Sequence, residues 1–178
     1  MSGDANNLRG AGGKVGEMLV IGYGNPMRGD DGVGPAVADA ISRLGLGGLR
    51  VETRHQLTPE LEALLGEVEA AVFVDAVDPE DGDAGGIAGS DGVRVRVREL
   101  RGEAHRTPEW TGHRFDPEGL LALTRELRGR APKAWCVEIP VREFGWGPGL
   151  GSAAREQVPE AVAAVRRLWE QHACTRRV

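Results

Sequence analysis

Asp30 and Asp31 stand side by side in the stretch Met18-Leu-Val-Ile-Gly-Tyr-Gly-Asn-Pro-Met-Arg-Gly-Asp-Asp-Gly-Val-Gly34, between an apolar run and the start of a helical pattern. Further along, Asp75 closes a second apolar run and His113 precedes a helix start. Asp31, Asp75 and His113 together make an O/O/N donor set, which suits a first-row divalent ion such as nickel or zinc better than calcium. One of the three acids could instead serve as a general base in hydrolysis. An Asp in an apolar strand is costly unless it is paired, hydrogen-bonded or bound to a ligand. Asp75 therefore requires a partner.

Each of these residues also has a plainer reading. Asp30 or Asp31 could cap the helix that begins at Val33. Asp75 could accept backbone N–H groups at a strand end, and His113 could be a solvent-facing loop residue. His55 ends a strand on the same side and is a rim candidate, whereas His105 and His172 read as surface. Trp110 and Trp146, both in loops, could line a peptide groove, pack into the core or anchor a loop. Asp78, Asp81 and Asp83 lack the D-x-D-x-D-G…E spacing of a calcium loop. Gly22-Tyr-Gly24 imitates the opening of a dinucleotide fingerprint, but Met27 takes the third glycine position and two carboxylates would face the pyrophosphate. Neither a G-x-S-x-G elbow nor an H-E-x-x-H pair is present, and no covalent nucleophile with its base stands out.

The elements that must position these side chains follow from hydrophobic periodicity. Residues 18–23 and 70–77 are near-continuous apolar runs, as in strands buried on both faces. Residues 33–44 carry apolar positions at Val33, Val37, Ala40, Ile41 and Leu44, a helical period. Residues 49–54 alternate as a second strand nearer an edge. Thr58 and Pro59 read as a cap and first helical position for a helix to about residue 67. Residues 78–92 form an exposed Asp/Gly-rich loop. Residues 93–100 alternate Val and Arg, which predicts one buried and one wet face on an edge or exposed-face strand. Asp116 and Pro117 open a helix to about residue 128, residues 134–141 form a further strand, and residues 153–172 a last helix with Val158, Val162, Val165 and Leu168 in register.

The alternation of strands and helices defines an α/β three-layer sandwich with right-handed crossovers. With strand 1 between strands 2 and 3, Asp31 and Asp75 flank the switch point at which open α/β sheets place their ligands. The 178 residues fit one domain. The expected division is a flexible, Gly-rich tail over 1–17, a single domain over 18–172 and a short tail over 173–178. A net charge of −5 argues against a general nucleic-acid binder, which needs a basic surface. No apolar run approaches a membrane span, and no secretory signal opens the chain. Two cysteines without CxxC spacing fit a reducing compartment, with Cys136 a small core residue and Cys174 near a frayed end. The expectation is a soluble, cytoplasmic monomer.

The blocks Gly24-Asn-Pro-Met-Arg-Gly-Asp-Asp31-Gly-Val-Gly34, Phe73-Val-Asp75-Ala76 and Gly112-His113 before an Asp-Pro helix start resemble the nickel-iron hydrogenase maturation proteases. The resemblance runs from about Met18 to the last helix. It implies an endopeptidase that removes a short C-terminal extension from a hydrogenase large-subunit precursor after nickel insertion. It implies Asp31, Asp75 and His113 as metal-binding residues, with Asp31 and Asp75 the catalytic candidates. The resemblance also implies that the nickel is carried by the substrate, with zinc or cadmium able to replace it in crystals. It further implies a five-stranded mixed sheet in order 2-1-3-5-4 with strand 4 antiparallel, a phosphorylase/hydrolase-like three-layer α/β/α sandwich. The alternatives are a nickel-binding accessory module or metallochaperone without peptidase activity, and another small hydrolase on the same scaffold.

The chain departs from the family pattern in three places. Some members have Glu where Asp31 stands, and Asp is one methylene shorter. Some have Gly-Gly-Thr after strand 2, where this chain has His55-Gln-Leu-Thr-Pro-Glu. The acidic 78–91 loop reads as an insertion. These differences bear on the identity of the client rather than on the reaction class.

Overall fold

The computed structural model describes residues 17–79, 94–101 and 115–174. His113, His105, Trp110, Asp81, Asp83, most of the 78–92 loop and nearly all of the 1–17 tail lie outside the described residues. The strands are β1 (Met18–Tyr23), β2 (Leu49–Arg54), β3 (Ala70–Val77), β4 (Arg96–Leu100) and β5 (Lys133–Pro140). The α-helices are α1 (Val33–Ser42), α2 (Glu62–Leu65), α3 (Pro117–Arg128) and α4 (Ser152–Cys174). The sheet order is β2-β1-β3-β5-β4, with every neighbouring pair parallel except β4 with β5. The expected order and the antiparallel fourth strand are both found.

The central strands are apolar on both faces because helices cover both. Met18 and Val20 of β1 join Val72 and Val74 of β3 beneath α1 and α4. The alternating residues Leu19, Ile21, Ala71 and Phe73 face α2 and α3 on the other side. Cys136 lies buried in this second layer, and burial pushes its thiol well above the usual range. Helix α3 starts where local chemistry dictates: Asp116 accepts the Gly119 N–H at 2.6 Å, Pro117 follows, and Gly129 closes the helix in the left-handed region.

Several local expectations are corrected. Helix α1 stops at Ser42, and Leu44 is exposed rather than part of its buried face. The segment after Thr58 is a 3-10 turn over Pro59–Leu61 followed by the single turn of α2, not one continuous helix. Thr58 makes no side-chain cap there. Strand β4 begins at Arg96; Val97 is 46% exposed, while Val95 just before the strand is partly buried against the core, so the expected valine face is covered only in part. On the opposite face Arg98 bridges Glu138 at 3.1 Å and Glu118 of α3 at 2.7 Å, while Leu100 enters the core. The period of two separated the faces, but on this edge strand neither is covered along its length. Helix α4 extends to Cys174, beyond the expected limit of residue 172. Its core face is Ala154, Ala161, Ala164, Val165 and Leu168; Val158 and Val162 are only partly buried. Small alanines let α4 lie close to the sheet, and they carry little weight in a hydrophobic pattern.

Candidate active site

The site is built at the carboxyl edge of β1 and β3. Gly22 of β1 pairs in register with Val74 of β3, one residue before Tyr23 and Asp75. The Tyr23 hydroxyl donates to Asp75 Oδ2 at 2.7 Å. Asp75 is thus a half-buried carboxylate near a strand end with one oxygen anchored by a phenol from the neighbouring strand.

Asp31 reaches the same edge from the β1–α1 loop. Its Oδ2 accepts the Asn25 N–H at 2.9 Å, which closes the loop on itself. The Asn25 side chain in turn accepts the Met27 N–H at 3.0 Å. A 3-10 turn over Gly29–Gly32 then leads into α1, whose N-cap position is Gly32 with no side-chain cap. The cap reading therefore fails for both acids. Gly24 has φ of 135°, and a Cβ there would run into the Asp31 backbone carbonyl. Only glycine lets the chain turn this tightly around Asp31.

Asp30 points the other way. It is 2% exposed, and its oxygens accept the Gly151 N–H at 2.7 Å and the Glu143 N–H at 3.3 Å. Both partners belong to the 141–151 loop between β5 and α4. The same loop returns a backbone bond from Asp30 N–H to the Glu143 carbonyl at 2.9 Å. It also exchanges Gly29 N–H to the Gly147 carbonyl and Gly147 N–H to the Met27 carbonyl. Trp146 on this loop is 85% exposed and Met27 is 53% exposed. The groove-or-core alternatives for Trp146 are reduced accordingly: it is not a core residue. His55 is exposed just beyond β2 on the same edge, whereas His172 lies near Glu69 at the opposite edge, 3.9 Å from its carboxylate.

Among the described residues, Asp31 lies in the 3-10 turn of the loop that follows β1 and Asp75 near the carboxyl end of the adjacent β3, whereas Asp30 is a structural acid buried against the 141–151 loop. The structure assembles no cluster of three His, Cys, Asp or Glu side chains among those residues; His113, the expected third donor, lies outside them. Tyr23 is the residue that sequence reasoning missed. The signal was available: the only tyrosine of the chain ends an otherwise aliphatic strand.

Burial, and next the Asp75 charge, raise the Tyr23 hydroxyl well above its ordinary value near 10. Because the folded-state value is the higher one, the contribution of neutral Tyr23 to stability is complete below about pH 10 and is lost as pH rises through the folded value. With a single tyrosine, phenolate absorbance reads this group alone. The native protein is expected to titrate above the urea-unfolded chain, and Tyr23→Phe is expected to remove the signal together with the corresponding alkaline loss of stability. Coincident native and unfolded titration curves would contradict the geometry.

The architecture is that of the hydrogenase maturation endopeptidases. The hydrogenase maturating endopeptidase HybD from E. coli superposes with a TM-score of 0.64 at 14% identity, over 87% of this chain and 93% of that one. The nickel-iron hydrogenase maturation protease HycI from Thermococcus kodakarensis KOD1 gives 0.61 at 18% identity, over 87% and 93%. The hydrogenase 2 maturation peptidase from Thaumarchaeota archaeon SCGC_AB-539-E09 gives 0.59 at 22%, over 86% and 97%. At these identities the likeness is one of fold. No protein-family model matches the chain. By sequence, an acetylglutamate kinase from Chromohalobacter salexigens is 34% identical over 85 residues, and this stretch spans 45% of the chain and 27% of the kinase. Among the described residues no helix is long and apolar enough to cross a membrane.

Proposed function

We propose that this chain is an endopeptidase that removes the C-terminal extension of a nickel-iron hydrogenase large-subunit precursor after nickel insertion. The reading is supported by one observation: the fold is shared with solved hydrogenase maturation endopeptidases over most of both chains, and within it Asp31 in the loop after β1 and Asp75 near the end of the adjacent β3 each have an oxygen anchored. Asp31, Asp75 and His113 would complete the coordination of a nickel ion already held by the client. That contact docks the scissile bond and makes cleavage conditional on metal insertion. The donor types fit such an ion, since carboxylate and imidazole both suit nickel. Hydrolysis adds water to the carbonyl carbon, breaks the C–N bond and returns a proton to the amine; a carboxylate oxygen of Asp31 or Asp75 that the metal does not engage would serve as the general base.

A phosphoryl-transfer reading, which the kinase match could suggest, meets an electrostatic objection. The glycine-rich turn after β1 carries Asp30 and Asp31 where a phosphate cradle needs N–H groups and positive charge.

The test is incubation with a nickel-loaded precursor and, in parallel, a nickel-free one, followed by mass measurement of the large subunit. Tail loss from the loaded form alone supports the proposal. Tight nickel binding without cleavage would replace it with the accessory-module reading, and cleavage regardless of nickel with that of another hydrolase. In the same assay the exposed Trp146 is expected to act as a client contact. Trp146→Ala is expected to raise KM about tenfold with kcat retained, the pattern of lost uniform binding.

A further inference from the structure

Asp30 is a charged side chain almost fully buried, and the chemistry proposed above does not use it. Burying a carboxylate is costly unless its oxygens are satisfied by donors. Here each oxygen takes one backbone N–H, from Gly151 and from Glu143, 121 and 113 residues away in sequence. A local cap would have bonded the first turn of α1; this side chain instead joins two loops that both rise from the carboxyl edge of the sheet. A side chain on Gly151 would sit 3.1 Å from Asp30 Oδ1 and 3.0 Å from Glu143 Oε2, so the join is tight on the partner side as well.

The consequence falls on the next residue. Asp30 is held at its carboxylate and at its N–H, which donates to the Glu143 carbonyl. The peptide leading into Asp31 therefore starts from a fixed point. From there the Asp31 carboxylate spans back to the Asn25 N–H. We propose that Asp30 is a positioning residue: by clasping the 141–151 loop to the 24–32 loop it fixes where Asp31 presents its carboxylate. The same pair of loops is joined by the Gly147 N–H donating to the Met27 carbonyl, next to the exposed Trp146. The functional arm of this inference rests on the peptidase reading; the structural arm does not.

Both arms are tested on the full chain. Hydrogen exchange is followed at the Gly151, Glu143 and Asn25 amides, with the Val72 amide of the central strand as reference, in wild type, Asp30→Ala and Asp30→Asn. The Asn variant keeps one acceptor and remains usable if the Ala variant does not fold. Loss of the clasp is expected to speed exchange at Gly151 and also at Asn25 by about tenfold or more, with Val72 unchanged. Faster exchange at Gly151 and Glu143 with Asn25 as in wild type, or no change at any of the three, overturns the proposal. On nickel-loaded precursor, Asp30→Ala is expected to lose about 100-fold in kcat with KM changed much less, as for a displaced reacting group, and Asp30→Asn to recover part of it. Unchanged kcat overturns the functional arm. If wild type fails to process the precursor, the peptidase reading falls, and the Asn25 exchange still decides the role of Asp30.

Discussion

Asp75→Asn is expected to reduce tail removal from a nickel-loaded precursor by about 100- to 1,000-fold or more, the scale of losing one preorganised electrostatic partner. The substitution is nearly isosteric. The new side-chain amide would retain an oxygen able to accept the Tyr23 hydroxyl, which now sits 2.7 Å from Asp75 Oδ2. What the change removes is the negative charge that a cation requires. Asp31→Asn follows the same logic, because the Asn25 N–H needs only one acceptor oxygen. His113→Ala is expected to give a comparable loss if its imidazole is the third donor. The decisive control is the fold itself: far-UV circular dichroism and Tm should match wild type for the two Asn variants. Full tail removal by Asp75→Asn would sink the proposed role of the site, whatever the other variants do.

Gly34→Ala is expected to cost about 3 kcal/mol, at the upper end of the range for overpacking a tight contact. A Cβ at this position would lie 2.5 Å from the Tyr23 carbonyl oxygen and 2.5 Å from that of Val74. Both atoms are backbone in the two central strands, so neither can rotate away. Helix α1 must move off the sheet instead, taking with it the turn that carries Asp31. For a domain of this size the melting temperature should fall by roughly 6–12 °C. Gly47→Ala is the matched control, since a Cβ there meets nothing within 4 Å and the backbone is not in the left-handed region. That variant should stay within about 0.5 kcal/mol of wild type or gain slightly from the stiffer unfolded chain. Equal melting temperatures for Gly34→Ala and wild type would mean that α1 does not approach the strand ends as closely as described.

The two substitutions probe different aspects of one arrangement. Gly22 and Gly34 let the first turn of α1 come down onto the ends of β1 and β3. That approach sets the β1–α1 loop, which carries Asp31, at the carboxyl edge of β1 and β3, the edge near which Asp75 lies. The glycines of this loop serve turning and close packing, as Gly24 beside the Asp31 carbonyl also shows.

The order of elements, the doubly buried character of β1 and β3, the cap at Asp116 and the burial of Cys136 were all legible in the chain. Each depends on a residue's own polarity or on partners a few positions away, so periodicity and cap chemistry reach them. The resemblance added the strand order and the antiparallel edge, which periodicity alone leaves open. Tertiary structure decided the rest. How much of β4 is covered depends on where the helices lie, so Val97 is exposed although it alternates as a buried residue should. The packing face of α4 is defined by alanines whose value is their small size against the sheet. The roles of the adjacent acids, alike in type and neighbours in sequence, diverge because their partners do. Asp31 turns back to Asn25 within its own loop, whereas Asp30 is buried against donors more than a hundred residues away, and no local pattern can report a partner at that distance.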